Sequence, residues 1–254
     1  MLEKALRAQR AHGRKLLIPY LMGGMTEDWG QTLAAVAAAG ADAVEVGIPF
    51  SDPMMDGPVI QEAALQALHR GTVPDQVLDV IAHAEVTVPV AVMTYYNIVY
   101  RAGLKRMARS LVAAGVSGAI IPDLSLEELE PWAHEADAAG IETVLLVAPS
   151  SPEDRVGRIC ARAGGFVYAV SRMGVTGERA AIGAEARQVV ERIRRHTDMP
   201  VCVGVGVSTP DQAAEVCEIA DGVVVGSALV RRLLEGGGPD GAAEFVGSLR
   251  RAID

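Results

Sequence analysis

Eight short runs of nearly unbroken hydrophobicity, each followed by a longer stretch with apolar residues at helical spacing, constrain this chain more than any other feature. The runs lie at Leu17 to Leu21, Ala43 to Val46, Val90 to Thr94, Gly118 to Ile121, Thr143 to Val147, Phe166 to Val170, Val201 to Val205 and Gly222 to Val225. A strand with one wet face alternates apolar and polar residues; runs without that alternation suit a parallel sheet covered on both faces. Between them, Trp29 to Ala39, Gln61 to Arg70, Pro74 to Ala84, Leu104 to Ala114, Leu126 to Ala139, Pro152 to Ala163, Ala184 to His196 and Pro210 to Ile219 read as helices. Ser151 before Pro152 and Thr209 before Pro210 mark helix starts, and Gly40, Gly115 and Gly140 mark ends. No linker breaks the chain, although Gly236 to Gly238 interrupts the last helical region. The expectation is an α/β fold: a single (β/α)8 TIM barrel domain over residues 1–254 with an extra N-terminal helix, and a doubly wound open sheet as the alternative.

In such a barrel the chemistry sits at the C-terminal ends of the strands, so the loop after each strand matters most. The second of these, EVGIPFSDPMMDGPVIQ from Glu45 to Gln61, holds Glu45 inside an otherwise apolar strand. With Val44 and Val46 facing the helices, Glu45 points into the barrel. An unpaired carboxylate there resists ionisation and suits general acid/base work; a buried hydrogen-bonded Glu is the structural alternative. Asp56, across a Pro-rich loop, is placed to face the same cavity, and Asp52 in Ser-Asp-Pro to brace the loop. Late in the chain, SRMGVTGER from Ser171 to Arg179 has the composition of a lid. VGVGVSTP from Val203 and DGVVVGSALV from Asp221 put Gly-rich turns after strands seven and eight, where barrels often bind phosphate on backbone N–H groups and a helix N-terminus. Gly206, Gly226 and Ser227 are therefore candidate phosphate ligands, with Gly177 closing from the lid.

Charge sharpens that reading. The chain carries 32 acidic against 23 basic residues, a formal net charge of -9, which argues against a nucleic-acid or anionic-membrane surface. Lysines occur only at positions 4, 15 and 105, and none stands at the top of a strand, which removes Schiff-base aldolase chemistry. His12, His69, His83, His134 and His196 fall in helices or at their ends, away from any metal cluster or triad. Arg192, Arg194 and Arg195 read as a solvated helix face. Cys160, Cys202 and Cys217 suggest neither disulfides nor zinc, and fit a reducing cytoplasm. Arg14 and Lys15 before the apolar run Leu16 to Met25 imitate a signal peptide, but Pro19 and two glycines interrupt that run, and no stretch approaches a membrane span. Asp123 in IPDL and Tyr168 in strand six are each either core hydrogen-bonding partners or pocket walls.

The stretches EVGIPFSDPMMDGPVIQ, MTYYNIVYRAG, GVSGAIIPDLSLEE, GGFVYAVSRMGVTG, VCVGVGVSTPDQ and ADGVVVGSALV, in that order, make the chain resemble the tryptophan synthase alpha chain family along nearly its whole length. The resemblance implies a TIM barrel that cleaves indole-3-glycerol phosphate to indole and glyceraldehyde 3-phosphate by a retro-aldol reaction, with no metal or organic cofactor. It also implies a cytoplasmic α2β2 heterotetramer, in which the partner beta chain carries pyridoxal phosphate and condenses indole with serine. By position it makes Glu45 the general acid/base, Asp56 the partner of the indole N–H, and Gly177, Gly206, Gly226 and Ser227 the phosphate site. Tyr20, Tyr95, Asn97, Asp123, Tyr168 and Thr176 are the expected pocket residues. Two places depart from the family pattern: LMGGMTED puts Met25 and Thr26 where a Gly-Asp-Pro turn is common, and Met54-Met55 replace smaller residues or leucine. Both border the mouth and the beta-chain interface the resemblance implies, so they bear on coupling to the beta chain. Neutral repacking of adaptable Met side chains is expected, with a stand-alone indole-3-glycerol phosphate lyase as the alternative. A phosphate-binding barrel isomerase would share the late glycine turns but not the Glu45 to Asp56 loop; a non-enzymatic docking barrel is expected to have lost one carboxylate.

Overall fold

The computed structural model describes residues 1–170, 179–204 and 206–254. Eight parallel strands, β1 (Leu16–Met22), β2 (Val44–Gly47), β3 (Val90–Met93), β4 (Gly118–Ile120), β5 (Glu142–Val147), β6 (Val167–Val170), β7 (Val201–Gly204) and β8 (Gly222–Val225), close into a barrel in chain order. Pairing of Leu16 with Gly222 through Pro19 with Val225 joins the last strand to the first, and excludes the open sheet. At that seam a Cβ on Gly222 would lie 2.4 Å from the Leu16 carbonyl oxygen, so the closure needs a glycine. The run that imitated a signal peptide is β1, buried along its length.

Helices α1 (Leu2–Ala11), α2 (Trp29–Ala38), α3 (Pro58–His69), α4 (Pro74–His83), α5 (Tyr96–Ala102), α6 (Leu104–Ala113), α7 (Glu130–Ala139), α8 (Glu153–Arg162), α9 (Arg179–Arg194), α10 (Pro210–Ile219), α11 (Ser227–Leu234) and α12 (Gly238–Ile253) accompany the barrel. None among the described residues is long and apolar enough to cross a membrane. Thr209 caps α10 as expected, its hydroxyl accepting from the Gln212 N–H. Ser151 does not cap α8: its hydroxyl instead accepts from the Ala148 N–H, and the helix starts after Pro152. Pro58 and Pro131 take first-turn positions, which draws α3 three residues earlier than its apolar pattern and starts α7 at Glu130, four residues later than Leu126. Gly40, Gly115 and Gly140 follow helix ends with positive φ.

The extra N-terminal helix α1 plugs the lower end of the barrel. Leu2 and Leu6, both fully buried, join Ile18, Ala91, Val144, Phe166 and Cys202 in an interior core. Leu2 sits where side chains on Gly118 and Gly165 would otherwise project, with ideal Cβ positions 2.9 and 2.8 Å from its Cδ2. The Glu3 N–H donates to Glu142, and Arg7 bridges Glu3 and Asp198, which fixes the helix against the strand ends. Val44 and Val46 belong to the outer apolar layer between strands and helices, which leaves Glu45 facing inward. The cysteines are free and buried.

Candidate functional site

The interior is filled below and hollow above. At the C-terminal end of the strands lies a cavity of about 290 Å³. Tyr20, Glu45, Asp56 and Tyr168 from the sequence-derived set face it, as do Gly206, Gly226 and Ser227.

Glu45 stands at its floor, 1 % exposed, and neither carboxylate oxygen has a hydrogen-bond partner among the described residues. Among the described residues no hydrogen-bonded network or arginine holds it, whereas the structural alternative requires one. Desolvation, and then the nearby charge of Asp56, push its pKa up from 4.5 to about 8. Such a carboxyl holds its proton at neutral pH and still releases it within reach of neutrality, as a group that both gives and takes a proton must. Two tyrosine rings flank it, and each is admitted by a glycine. A Cβ on Gly47 would lie 2.0 Å from the Tyr20 hydroxyl, and one on Gly204 would lie 2.5 Å from Cε1 of Tyr168.

Asp56 reaches the cavity from the loop after β2. The Met54 N–H donates to the Asp52 carbonyl and the Ser51 hydroxyl to the Asp52 carboxylate, so Asp52 braces the turn. Tyr95 then fixes the end of the loop: its hydroxyl donates to Asp56 Oδ2 at 3.0 Å and accepts from the Met55 N–H at 3.0 Å. Phe50 stacks on the Tyr95 ring, centroids 5.1 Å apart. Burial raises the Asp56 pKa, and the Tyr95 hydrogen bond opposes that rise. Two carboxyls in one cavity thus differ in surroundings: Asp56 has a hydroxyl donor, and Glu45 has no hydrogen-bond partner among the described residues.

At the other end Gly226 precedes the first residue of α11, Ser227. The first-turn N–H groups of a helix have no intrahelical carbonyl to reach, and with the helix dipole they favour an anion. Gly206 turns the chain after β7 at φ +69°, a backbone shape suited to glycine. Among the described residues no lysine or arginine lines the cavity, so an anionic group held there rests on backbone and hydroxyl donors.

The remaining expected residues fall elsewhere. Thr176 and Gly177, and the proposed lid over 171–178, lie outside the described residues. Tyr95 is joined to the cavity by its hydrogen bond to Asp56. Asp123 accepts two hydrogen bonds from the Tyr96 N–H, at 2.9 and 3.2 Å, and so caps α5, a helix the hydrophobic pattern did not disclose. Asn97 is exposed on α5 and lines a separate surface hollow with Asp75 and Arg101. Sequence reasoning passed over the apolar walls Met93, Leu146 and Val224, and over Gly47 and Gly204. Each stands on the inward two-residue period of its strand, the signal that would have found it. Of the departing residues, Met25 is buried in the outer core, whereas Met54 is 81 % exposed and its neighbour Met55 lines the cavity.

The family model of the tryptophan synthase alpha chain matches residues 6–245. The tryptophan synthase alpha chain of Thermobifida fusca is 46% identical over 252 residues, which cover 97% of this chain and 93% of that one. That of Streptomyces coelicolor is 47% identical over 258 residues, 100% of this chain and 94% of that one. Among solved structures, tryptophan synthase from M. tuberculosis in its aminoacrylate-bound form superposes with a TM-score of 0.91 at 36% identity, over 100% of this chain and 99% of that chain. Tryptophan synthase subunit alpha from Legionella pneumophila superposes with a TM-score of 0.92 at 32% identity, over 100% and 98% of the two chains.

Proposed function

Because the chain belongs to the tryptophan synthase alpha chain family, the lyase of tryptophan biosynthesis, we propose that Glu45 and Asp56 carry its cleavage of indole-3-glycerol phosphate. The observation that bears most weight is Glu45: fully buried, without a hydrogen-bond partner among the described residues, and sharing with a second carboxylate a cavity that ends on a helix N-terminus. Protonated Glu45 gives its proton to C3 of the indole, and the ring nitrogen takes up positive charge as an iminium. The Asp56 carboxylate, held by Tyr95, accepts the N–H hydrogen bond and stabilises that charge. Glu45, now ionised, removes the proton from the hydroxyl on the carbon attached to C3. The C–C bond breaks, its electron pair restores the indole, and the hydroxyl becomes the aldehyde of glyceraldehyde 3-phosphate. The proton that left Glu45 is replaced by the one it collects, so atoms and charge balance on side chains alone, with no cofactor on this chain. The phosphate is placed on Gly206, Gly226 and Ser227, with Gly177 and Thr176 assigned to the lid side, and Tyr20 and Tyr168 wall the reacting chain.

The family implies a beta-chain partner, and we place the pair in an α2β2 assembly in the cytoplasm, with pyridoxal phosphate on the beta chain. Nothing in the relatives or the geometry favours a stand-alone lyase, and both carboxylates are present, which sets aside a purely docking role. Purified chain is expected to release indole from indole-3-glycerol phosphate, slowly alone and faster with its cognate beta chain. No release in either condition would refute the reading; fast release unaltered by the beta chain would favour the stand-alone lyase.

A further inference from the structure

Tyr20 has a place in the cavity that a wall residue does not require. It pairs in register with Glu45 on the neighbouring strand, so both side chains enter the barrel from the same level. Its Cβ end lies against Gly226, at 3.5 Å from an ideal Cβ there, and its hydroxyl lies over Gly47. The ring therefore runs from the helix N-terminus assigned to phosphate towards the acid. Gly47 follows Glu45 by two residues, on the same face of β2, so the hydroxyl lies over the next inward position of Glu45's strand without a hydrogen bond to its carboxyl. Tyr168 differs here: its hydroxyl lies over Gly204 on β7. Burial, and then the charges of Asp56 and Glu45, push the Tyr20 phenol well above its ordinary pKa, which keeps it a donor.

We propose that the Tyr20 hydroxyl is a catalytic hydrogen-bond donor to the substrate oxygen from which Glu45 takes its proton. That oxygen must lie within reach of Glu45, and it gains negative charge while its proton is leaving. A neutral donor at the same level on the neighbouring strand stabilises it more in the transition state than in the bound substrate. Tyr20 transfers no proton; it holds the oxygen while the C–C bond breaks. The inference rests on the cleavage reading above, and adds a third side chain to it.

The test is Tyr20→Phe, which keeps the ring and removes only the hydroxyl. Steady-state cleavage of indole-3-glycerol phosphate with the cognate beta chain is expected to show kcat lower by about 10- to 100-fold, with KM changed less than about twofold. Binding of indole-3-propanol phosphate, which lacks the glycerol hydroxyls, is expected to stay within about twofold of wild type, since it offers that donor no oxygen. An unchanged kcat, or a fall matched by equal loss of affinity for the deoxy ligand, would overturn the inference. If Tyr20→Phe is poorly folded, Tyr20→Met in the same two assays serves: loss confined to kcat supports the donor, and weaker binding of both ligands makes Tyr20 only a wall. A wild-type chain that cleaves nothing would instead overturn the functional reading and this inference with it.

Discussion

One inward step along a strand separates the two halves of the barrel interior, and they obey different rules. On β2 that step leads from Ala43, just before the strand, to Glu45; near β6 it leads from Phe166 to Tyr168, and on β7 from Cys202 to Gly204. Below, Leu2, Leu6, Phe166 and Cys202 fill the space with apolar atoms and make no polar demand. Above, glycines leave space unfilled, and an unpartnered carboxyl sits at the floor. Backbone and register are continuous through both. The contrast shows a barrel that gains its stability at one end and keeps the other hollow and electrostatically costly for chemistry.

The sharpest way to break that contrast is to make the upper half neutral. Glu45→Gln is expected to lower turnover by about 10²- to 10⁴-fold, measured as indole release, while leaving the fold intact. It is also expected to stabilise the protein at alkaline pH. The Glu45 carboxyl titrates at about 8 in the fold against 4.5 when free, facing Asp56, Tyr20 and Tyr168. The favourable contribution of its protonated form is complete below 4.5 and is lost as pH rises through about 8. Denaturant midpoints of wild type should therefore fall across that window more steeply than those of Glu45→Gln. The kcat/KM profile should fall above the same pH, as the acid form disappears; parallel stability curves would show that Glu45 is not the raised group.

The lower half should respond in the opposite manner. Phe166→Ala removes one of the largest fully buried side chains and leaves a cavity beneath Tyr168, whose ring centroid is 5.8 Å away. A loss of about 3–5 kcal/mol is expected in urea unfolding. Turnover at a temperature where the variant is folded should fall far less than in Glu45→Gln. A larger loss of turnover than of stability would mean that the two halves are not separable.

The two halves also differ in how much of them a sequence discloses. The strands were readable because a run such as Gly222–Val225 has no polar residue to place it otherwise, and Glu45 because a carboxylate breaks such a run. The glycine turns at 206 and 226 were readable from composition and position together. What escaped were contacts made only once the barrel closes. Tyr95 and Asp56 are 39 residues apart and meet because β2 and β3 are neighbours, and no local pattern announces that pair. Asp123 was legible as a strand-end carboxylate, but its partner, the Tyr96 N–H, belongs to α5, whose seven residues are too few for a helical period to show.

A smaller disturbance is to fill the hollow from its wall. Gly204→Ala places a methyl 2.5 Å from Cε1 of Tyr168 and 2.7 Å from its hydroxyl, so the ring must turn into the cavity. A cost of about 1–3 kcal/mol is expected in thermal unfolding, as for overpacking elsewhere. A rise in KM for indole-3-glycerol phosphate should accompany it, because the displaced ring occupies substrate space. Loss of stability at unchanged KM would show that Tyr168 relaxes away from the cavity, and that the glycine serves packing alone.

The finest test leaves the cavity's shape alone and alters one hydrogen bond. Tyr95→Phe deprives Asp56 Oδ2 of its donor and the Met55 N–H of its acceptor. The Asp56 pKa is raised by burial and lowered by that donor, so removing the hydroxyl moves it further up. The carboxylate that steadies the indole N–H is then lost at a higher pH. The acid limb of kcat/KM should shift towards neutrality, while the alkaline limb set by Glu45, near 8, stays in place. At the optimum, about 1 kcal/mol of transition-state stabilisation, or roughly fivefold in kcat/KM, is expected to go. A merely looser loop would lower the whole profile without moving either limb. Displacement of the acid limb alone would assign Asp56 as the anion of the pair, with Tyr95 as the residue that keeps it ionised.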